Sequence, residues 1–423
     1  MRGIRAVFVA NGIAIASFLP FTAVILAARG FEPAAIGLVT AGQATAFMLA
    51  VPAWSHLADV RLGRRRALVV SACGGAAAIV LAGAAPAGFL FGGLLVLFSA
   101  MQAAWPGLSD ALALNAVGGM ARAYSRIRLL SSLSFGASVV GVGFLFDRTG
   151  YDPAFWICGA FALGVALAAS SVPDVERADL AALVSVAPAG RAGAAAPVGR
   201  HGRVVRVQSR GGSFAVALRA QPRLWGLLIV AAASFTAIQV SFTYLSLRIT
   251  SLGGQPSDVA LMFGVSAFFE APMMFLSGAL VARFGLRALV ASCVAVYGAC
   301  LLGWAVTDSV VVIILVRALG GFVFGGFTVG LVLSAGALLP AELQATGQGL
   351  LQVVSFGMCG IIANGLGGIL YSTVGPGVLF GGAGVLALVA AGLAVVLLPA
   401  RASERDAAAA ASAAARLPTS PPG

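Results

Sequence analysis

The sequence predicts an all-α integral membrane protein: twelve transmembrane helices in two six-helix, pseudo-symmetric bundles. Three observations carry this expectation. Residues of the hydrophobic set fill 60% of the 423 positions and charged residues only 9%, against about 25% charged in soluble domains. The apolar residues fall in repeated runs of roughly 20, the length that crosses a bilayer as a helix. The 26 basic residues are all arginine, and they gather in alternate connections between the runs, the mark of cytoplasmic loops. A barrel would need alternating segments of about ten residues. These runs are continuous in Ala, Leu, Val and Gly, and longer.

The first run follows Met1-Arg-Gly-Ile-Arg5 and continues to about Ala28. It exceeds a signal-peptide core of about 7–15 residues and is expected to be the first span. The other spans are expected at 34–57, 67–86, 88–114, 129–147, 153–173, 224–247, 257–282, 287–306, 309–338, 346–371 and 376–398. With the N-terminus in the cytoplasm, 22 arginines lie on the cytoplasmic side. They are Arg2 and Arg5, Arg61 and Arg64 to Arg66, Arg122, Arg126 and Arg128, eight in the central connection, Arg283 and Arg287, and three in the tail. Arg29, Arg148 and Arg248 fall outside, and Arg317 lies within a span. The asymmetry predicts an even number of spans, both termini cytoplasmic, and a bacterial inner-membrane location. The net charge of +12 then belongs to loops and does not imply nucleic acid.

The long connection divides the chain into a bundle at 1–173, a cytoplasmic linker at 174–223, a second bundle at 224–400 and a disordered tail at 401–423. The linker is rich in Ala, Gly and Arg, although Asp179 to Val186 has the makings of a short helix; Pro188 to Pro197 reads as a flexible tether. Cys73, Cys158, Cys293, Cys300 and Cys359 all sit in apolar runs without metal-ligand spacing, as small hydrophobes do. No metal and no cofactor is expected. There is no HExxH, GxSxG or Walker A pattern, so neither enzyme chemistry nor direct use of ATP is expected.

The two halves repeat. After the second span the chain reads Arg61-Leu-Gly63-Arg64-Arg65-Arg66-Ala-Leu-Val-Val-Ser-Ala-Cys73; after the eighth it reads Arg283-Phe-Gly285-Leu-Arg-Ala-Leu-Val-Ala-Ser-Cys293. Paired halves of this kind belong to secondary transporters that rock around a midplane site.

Ser55-His-Leu-Ala-Asp59-Val-Arg61-Leu-Gly63-Arg64-Arg65-Arg66 resembles the loop signature G-x-L-A-D-R-x-G-R-R of the major facilitator superfamily. Ser55 replaces the first Gly, and one residue is added between Asp59 and Gly63. Tyr124-Ser-Arg-Ile-Arg128-Leu-Leu-Ser-Ser132-Leu-Ser-Phe135, Pro106-Gly-Leu-Ser-Asp110-Ala-Leu-Ala, Glu270-Ala-Pro272 and Leu343-Gln-Ala-Thr346-Gly-Gln348 resemble motifs of its phenylpropionate, nucleoside and lactose permease-like branch. The resemblance implies that Asp59, Arg61, Gly63, Arg64, Arg65, Arg283 and Gly285 form a conformational latch, in which a carboxylate meets an opposing helix end. The branch often carries a histidine where this chain has Gly320. His56 and His201 lie in or beside cytoplasmic segments, so a proton relay here would use carboxylates.

Four charged groups at membrane depth are candidates for the transport site. Glu270 stands in the run Leu261 to Phe275, with nothing nearby in sequence to neutralise it. Such a group costs several kcal/mol unless it is paired, protonated or facing a wet cavity. Glu270 and Asp110 are the expected proton-coupling pair. Arg317 would hold an anionic substrate or pair with Glu270, and Arg128 would pair with Asp110 or add to the cytoplasmic charge. Asn11, Gln43, Gln102, Gln239, Tyr244 and Gln348 would line a substrate path or bond between helices. Phe268, Phe269, Phe322, Phe324 and Phe327 would line a site for an amphipathic solute or simply pack.

The expected function is proton-coupled import of a small solute by a monomer in the lipid bilayer. An efflux antiporter is the alternative; the absence of Pro between Ser131 and Gly143 in the fifth span favours import, because drug antiporters of this superfamily usually carry a Gly-Pro there. A non-transporting scaffold or sensor would want a folded soluble domain, which neither linker nor tail supplies.

Overall fold

The computed structural model describes residues 1–117, 121–172, 218, 221–339 and 341–398. The expected linker is almost wholly outside the described residues, as are the helix expected at 179–186 and the tail. Among the described residues there is no strand. Eleven helical stretches are long and apolar enough to cross a membrane. They are α1 Arg2–Ala28, α2 Pro33–Leu62, α3 Arg64–Ala84, α4 Phe89–Ala116, α5 Arg126–Thr149, α6 Pro153–Ser170, α7 Arg223–Ser251, α8 Pro256–Phe284, α9 Leu286–Val306, α10 Val310–Leu338 and α11 Gly347–Leu397. Ten match expected spans to within a few residues.

The eleventh covers two expected spans. Its 51 residues would reach about 76 Å as one rod, far beyond a bilayer of about 30 Å. The chain leaves helical geometry inside it at Gly375 (φ 82°, ψ 169°), which Pro376 follows. Only glycine takes that backbone readily. Before the break, residues 360–371 climb alongside α7 in the same direction: Gly360 is beside Gln239, Asn364 beside Tyr244, and Tyr371 stacks on Tyr244. After it, Gly377, Gly381 and Gly384 pass Ala305 and then Leu302 of α9 in the opposite direction. The chain therefore reverses at Gly375.

Proline shapes two more helices. Leu19–Phe21, around Pro20, is a 3-10 turn inside α1, and α4 is interrupted at Ala103 and Ala104, just before Pro106. Proline removes one helical donor. The end of α2 (Ala58–Leu62) and the segment Val353–Met358 of α11 wind as π-helix, a local form that recurs at functional positions.

Helix packing repeats six elements on. In the first half, α1 packs on α5 and α6, α2 on α4, and α3 on α4 and α6. In the second, α7 packs on the first arm of α11, α8 on α10, and α9 on α10 and the second arm of α11. Gly63 (φ 76°) precedes α3 and Gly285 (φ 85°) precedes α9. These are the two glycines aligned by the sequence repeat, and each makes the same left-handed turn between helices.

The halves touch through α2 with α11 and α5 with α8. These contacts run from Gly37 against Gly368 to Met48 against Gly357, and from Asp147 against Ser257 to Val140 against Gly264. Beyond them, α2 from residue 51 and α8 from residue 268 are largely exposed. Among the described residues the halves are thus joined at the arginine-poor end and parted toward the arginine-rich end.

Candidate functional site

Arg317 lies in α10 and is 2% exposed. Its Nη1 donates to Tyr297 Oη at 2.7 Å and Ser241 Oγ at 3.0 Å, and those two oxygens are 2.7 Å apart. The guanidinium lies 4.7 Å from the Phe242 ring centroid, with Trp304 at 5.9 Å and Phe263 at 6.0 Å. Four helices, α7 to α10, therefore build one pocket around one cation. Gly321 lets α10 approach α8: a Cβ there would stand 2.7 Å from the Ser266 Cα. Among the described residues no carboxylate is within ion-pair distance of Arg317.

Glu270 does not pair with Arg317. Its backbone carbonyl lies against Gly325, eight residues or about 12 Å farther along α10. The carboxylate is half-buried, on the part of α8 that runs toward the parted end. Its neighbours Phe268 and Phe269 are exposed and meet each other edge-on. Phe324 and Phe327 instead cluster with Phe235 inside the second half.

Asp110 and Arg128 do pair. Arg128 Nη1 donates to Asp110 Oδ2 at 2.9 Å and to Tyr124 Oη at 2.8 Å. Arg128 is largely exposed and Asp110 about one-quarter exposed.

The neutral candidates separate. Asn11 and Gln102 are buried, and Asn11 Oδ1 has no partner among the described residues. Gln43 donates to the Leu95 carbonyl at 3.5 Å, within its own half. Gln239 faces Gly360. Gln348 donates to the Val332 carbonyl at 2.9 Å and borders a groove with Phe235, Thr328, Gln352, Ser355 and Phe356. Tyr244 donates to the Asn364 carbonyl and sits against Gly37 and Gly368 at the joined end. Its place is therefore in the seal between the halves.

In the expected latch, Asp59 is 3.9 Å from Arg64 of its own hairpin and 65% exposed. Arg65 donates to the Val172 carbonyl at 3.1 Å, tying α3 to the end of α6. Arg61 is exposed, and Arg283 lies over Phe284. The side chains of residues 341–346, which carry most of the Leu343 to Gln348 motif, are outside the described residues. Sequence reasoning missed Ser241, Tyr297 and Trp304, whose positions give no sign that they converge on Arg317. It also missed Asp147, an acid at a helix end that reads as a surface residue.

Comparison with known proteins agrees with this architecture. The model of the MFS_1-like family matches residues 8–381. A maltose permease of Geobacillus stearothermophilus is 30% identical over 341 residues, covering 80% of this chain and 79% of the relative. The crystal structure of the nucleoside transporter NupG superimposes with a TM-score of 0.71 at 15% identity, over 94% of this chain and 96% of that one. A D-xylose–proton symporter gives 0.67 at 12% identity, over 94% and 98%. At such identities the two structures speak for the fold, and the family match speaks for the class. The chain belongs to the MFS_1-like family of the major facilitator superfamily, and is a multi-pass membrane transporter rather than an enzyme.

Proposed function

We propose that this protein is a proton-coupled importer of a small solute, acting as a monomer in a bacterial cytoplasmic membrane. In this reading it has twelve crossings and cytoplasmic termini, with bundles at 1–173 and 224–400. The joined end faces outward, so the conformation is the inward-facing member of an alternating-access cycle. Arg2 to Arg5, the Arg61 to Arg66 cluster and Arg283 all lie at the parted end, in keeping with the positive-inside rule.

One observation carries the coupling. Of the two membrane-depth carboxylates, Asp110 is held by Arg128, whereas Glu270 has no ion pair among the described residues and stands on the open side. A carboxyl group so placed can take up and release a proton as its surroundings change between states. Glu270 is therefore the proton carrier, and Asp110 with Arg128 orders the facing wall. The test is uptake by proteoliposomes of a panel including maltose, uridine and organic acids, with and without an inward proton gradient. Accumulation that needs the gradient is expected. Accumulation that is indifferent to it, or export under an opposite gradient alone, would overturn the reading.

A further inference from the structure

Val353–Met358 of α11 winds as π-helix, and the N–H of Cys359 bonds to the Val354 carbonyl. No proline lies within it. Such wide turns are rare and are often found at functional sites. This one serves a register. Leu351, Ser355, Cys359, Ala363 and Gly367 are all buried, one residue in every four. On a regular helix each step of four residues turns the stripe by about 40°, so four steps would carry it about 160° round. The one extra residue in the wide turn takes up about 100° of that drift. The inner and outer parts of α11 thereby keep one buried face.

The wide turn stands where the halves part. α2 and α11 meet as a ladder: Gly37 on Gly368, Ala41 on Gly365, Ala44 on Gly360 and Met48 on Gly357. The last of these rungs lies inside the π segment, and α2 is largely exposed from residue 51. The other two helices that stand clear of the facing half carry a proline there, Pro52 in α2 and Pro272 in α8, and proline weakens a helix by removing a donor. α11 has no proline between residues 341 and 375; the wide turn takes that place. Beside it lies a groove of about 340 Å³, lined in part by Phe235, Thr328, Gln348, Gln352, Ser355 and Phe356. The turn therefore has free space on one side in which to change shape.

We propose that Val353–Met358 is the joint of the gate at the parted end. As that end closes, the π turn tightens to α-helix, which turns residues 347–352 by about 100° and advances them by about 1.5 Å relative to the arm at 359–371. The hydrogen bond from Gln348 to the Val332 carbonyl belongs to the open arrangement and breaks in this step. The joint serves import and export alike, so it stands apart from the direction and coupling of transport.

The experiment removes one residue. Deleting Val353 leaves an α-helix whose two flanks keep their present relation, so the arrangement described above should become fixed. Two readings of the purified protein need no solute. The Tm of the deletion should equal or exceed that of the parent, because the packing is kept and the wide turn is gone. A cysteine at Ala260, buried at the joined end against Gly143, in a Cys73→Ser background, should react with membrane-impermeant maleimide several-fold more slowly than in the parent, because that end no longer opens. Deletion of Ile362 in the regular arm is the control. It turns Asn364 and Gly368 out of register with Tyr244 and Gly37, and should lower Tm and speed the labelling. Labelling of the Val353 deletion at the parent rate or faster, or the same outcome from both deletions, would overturn the proposal. If the Val353 deletion does not fold, hydrogen–deuterium exchange decides the matter. In Gly37→Val, whose added side chain forces the joined ends apart, the amides of 353–358 should exchange more slowly than in the parent, because regular helical bonds replace those of the wide turn. Equal or faster exchange there would overturn the proposal.

Discussion

Asp147 and Ser257, 110 residues apart, meet at the joined end: Asp147 Oδ1 accepts from the backbone N–H of Ser257 at 2.8 Å. Ser257 is in the first turn of α8, where N–H groups have no partner within the helix. Asp258 Oδ2 accepts from the N–H of Gln255 at 2.8 Å in the same turn. The positive end of α8 is thus covered by one acid of its own and one from the other half. This is the carboxylate-to-helix-end chemistry that the sequence suggests for Asp59, found at the opposite end of the molecule.

Because Asp147 belongs to one half and Ser257 to the other, their bond must break when that end opens. A carboxylate at a helix N-terminus contributes about 0.3–1 kcal/mol, up to about 2 when partly buried. Asp147→Ala should therefore shift the population toward the state open at that end by about 2- to 30-fold. Cysteine placed at Ala260, which is fully buried against Gly143, reports the change once the exposed Cys73 is replaced by Ser. Membrane-impermeant maleimide should label it faster in the Asp147→Ala background. An unchanged labelling rate would show that the bond carries no weight in the equilibrium.

The second seal is made of glycine. A Cβ on Gly37 would fall 2.8 Å from Tyr244 Oη and 2.9 Å from the Gly368 Cα. The obstacles include backbone, so the halves must separate to admit it. Gly37→Val should hold this end open and cut transport about tenfold or more, since overpacking costs about 1–3 kcal/mol, while the protein still inserts. Wild-type transport rates with normal expression would show that the seal tolerates a side chain.

Asp59→Asn should change the conformational balance while barely affecting the stability of the state seen here. In this state the Asp59–Arg64 pair is long and open to solvent, and such pairs contribute about 0–1 kcal/mol. Any larger effect must come from a contact made in the other state. Thermal unfolding should show a small shift, and cysteine accessibility on the two sides a clear one. If accessibility and transport both stay at wild-type values, the arginine cluster serves orientation alone.

The helices were readable because bilayer length and apolar runs constrain each other so tightly that α1 to α10 begin and end within a few residues of expectation. The repeat around Gly63 and Gly285 was readable because both need a left-handed backbone. The break expected between the last two spans, which end at 371 and restart at 376, falls on the reversal at Gly375. Two features were hidden. The Arg317 pocket draws Ser241, Tyr297 and Trp304 from three segments, and each residue is locally ordinary in an apolar helix. Arg317 and Glu270 form no ion pair because α8 and α10 bring Glu270 opposite Gly325 instead; sequence shows both charges at membrane depth but not their relative height.

Topology follows from the arginines and from the reversal at Gly375. Reporter fusions after Arg401 and within residues 190–210 should both report cytoplasm, and a cysteine at Ser372, which is exposed just before the turn, should react from outside. A periplasmic report from either fusion, or a Ser372 cysteine that reacts only from the cytoplasm, would rule out the twelve-crossing arrangement.

The strongest test of coupling is Glu270→Gln. Glutamine keeps the shape and the hydrogen-bonding capacity but cannot carry a proton. Glu270 touches neither Arg317 nor the Asp110–Arg128 pair at ion-pair distance, so the substitution leaves no buried partner uncompensated there and should fold normally. Gradient-driven accumulation should be abolished, while solute exchange across the same proteoliposome membrane persists, because exchange needs the binding site and the rocking motion but no net proton movement. Asp110→Asn should differ: it removes the partner of Arg128 and should weaken binding and exchange together with accumulation. Full gradient-driven accumulation by Glu270→Gln would remove Glu270 from the proton path and pass that role to Asp110, the other carboxylate at membrane depth.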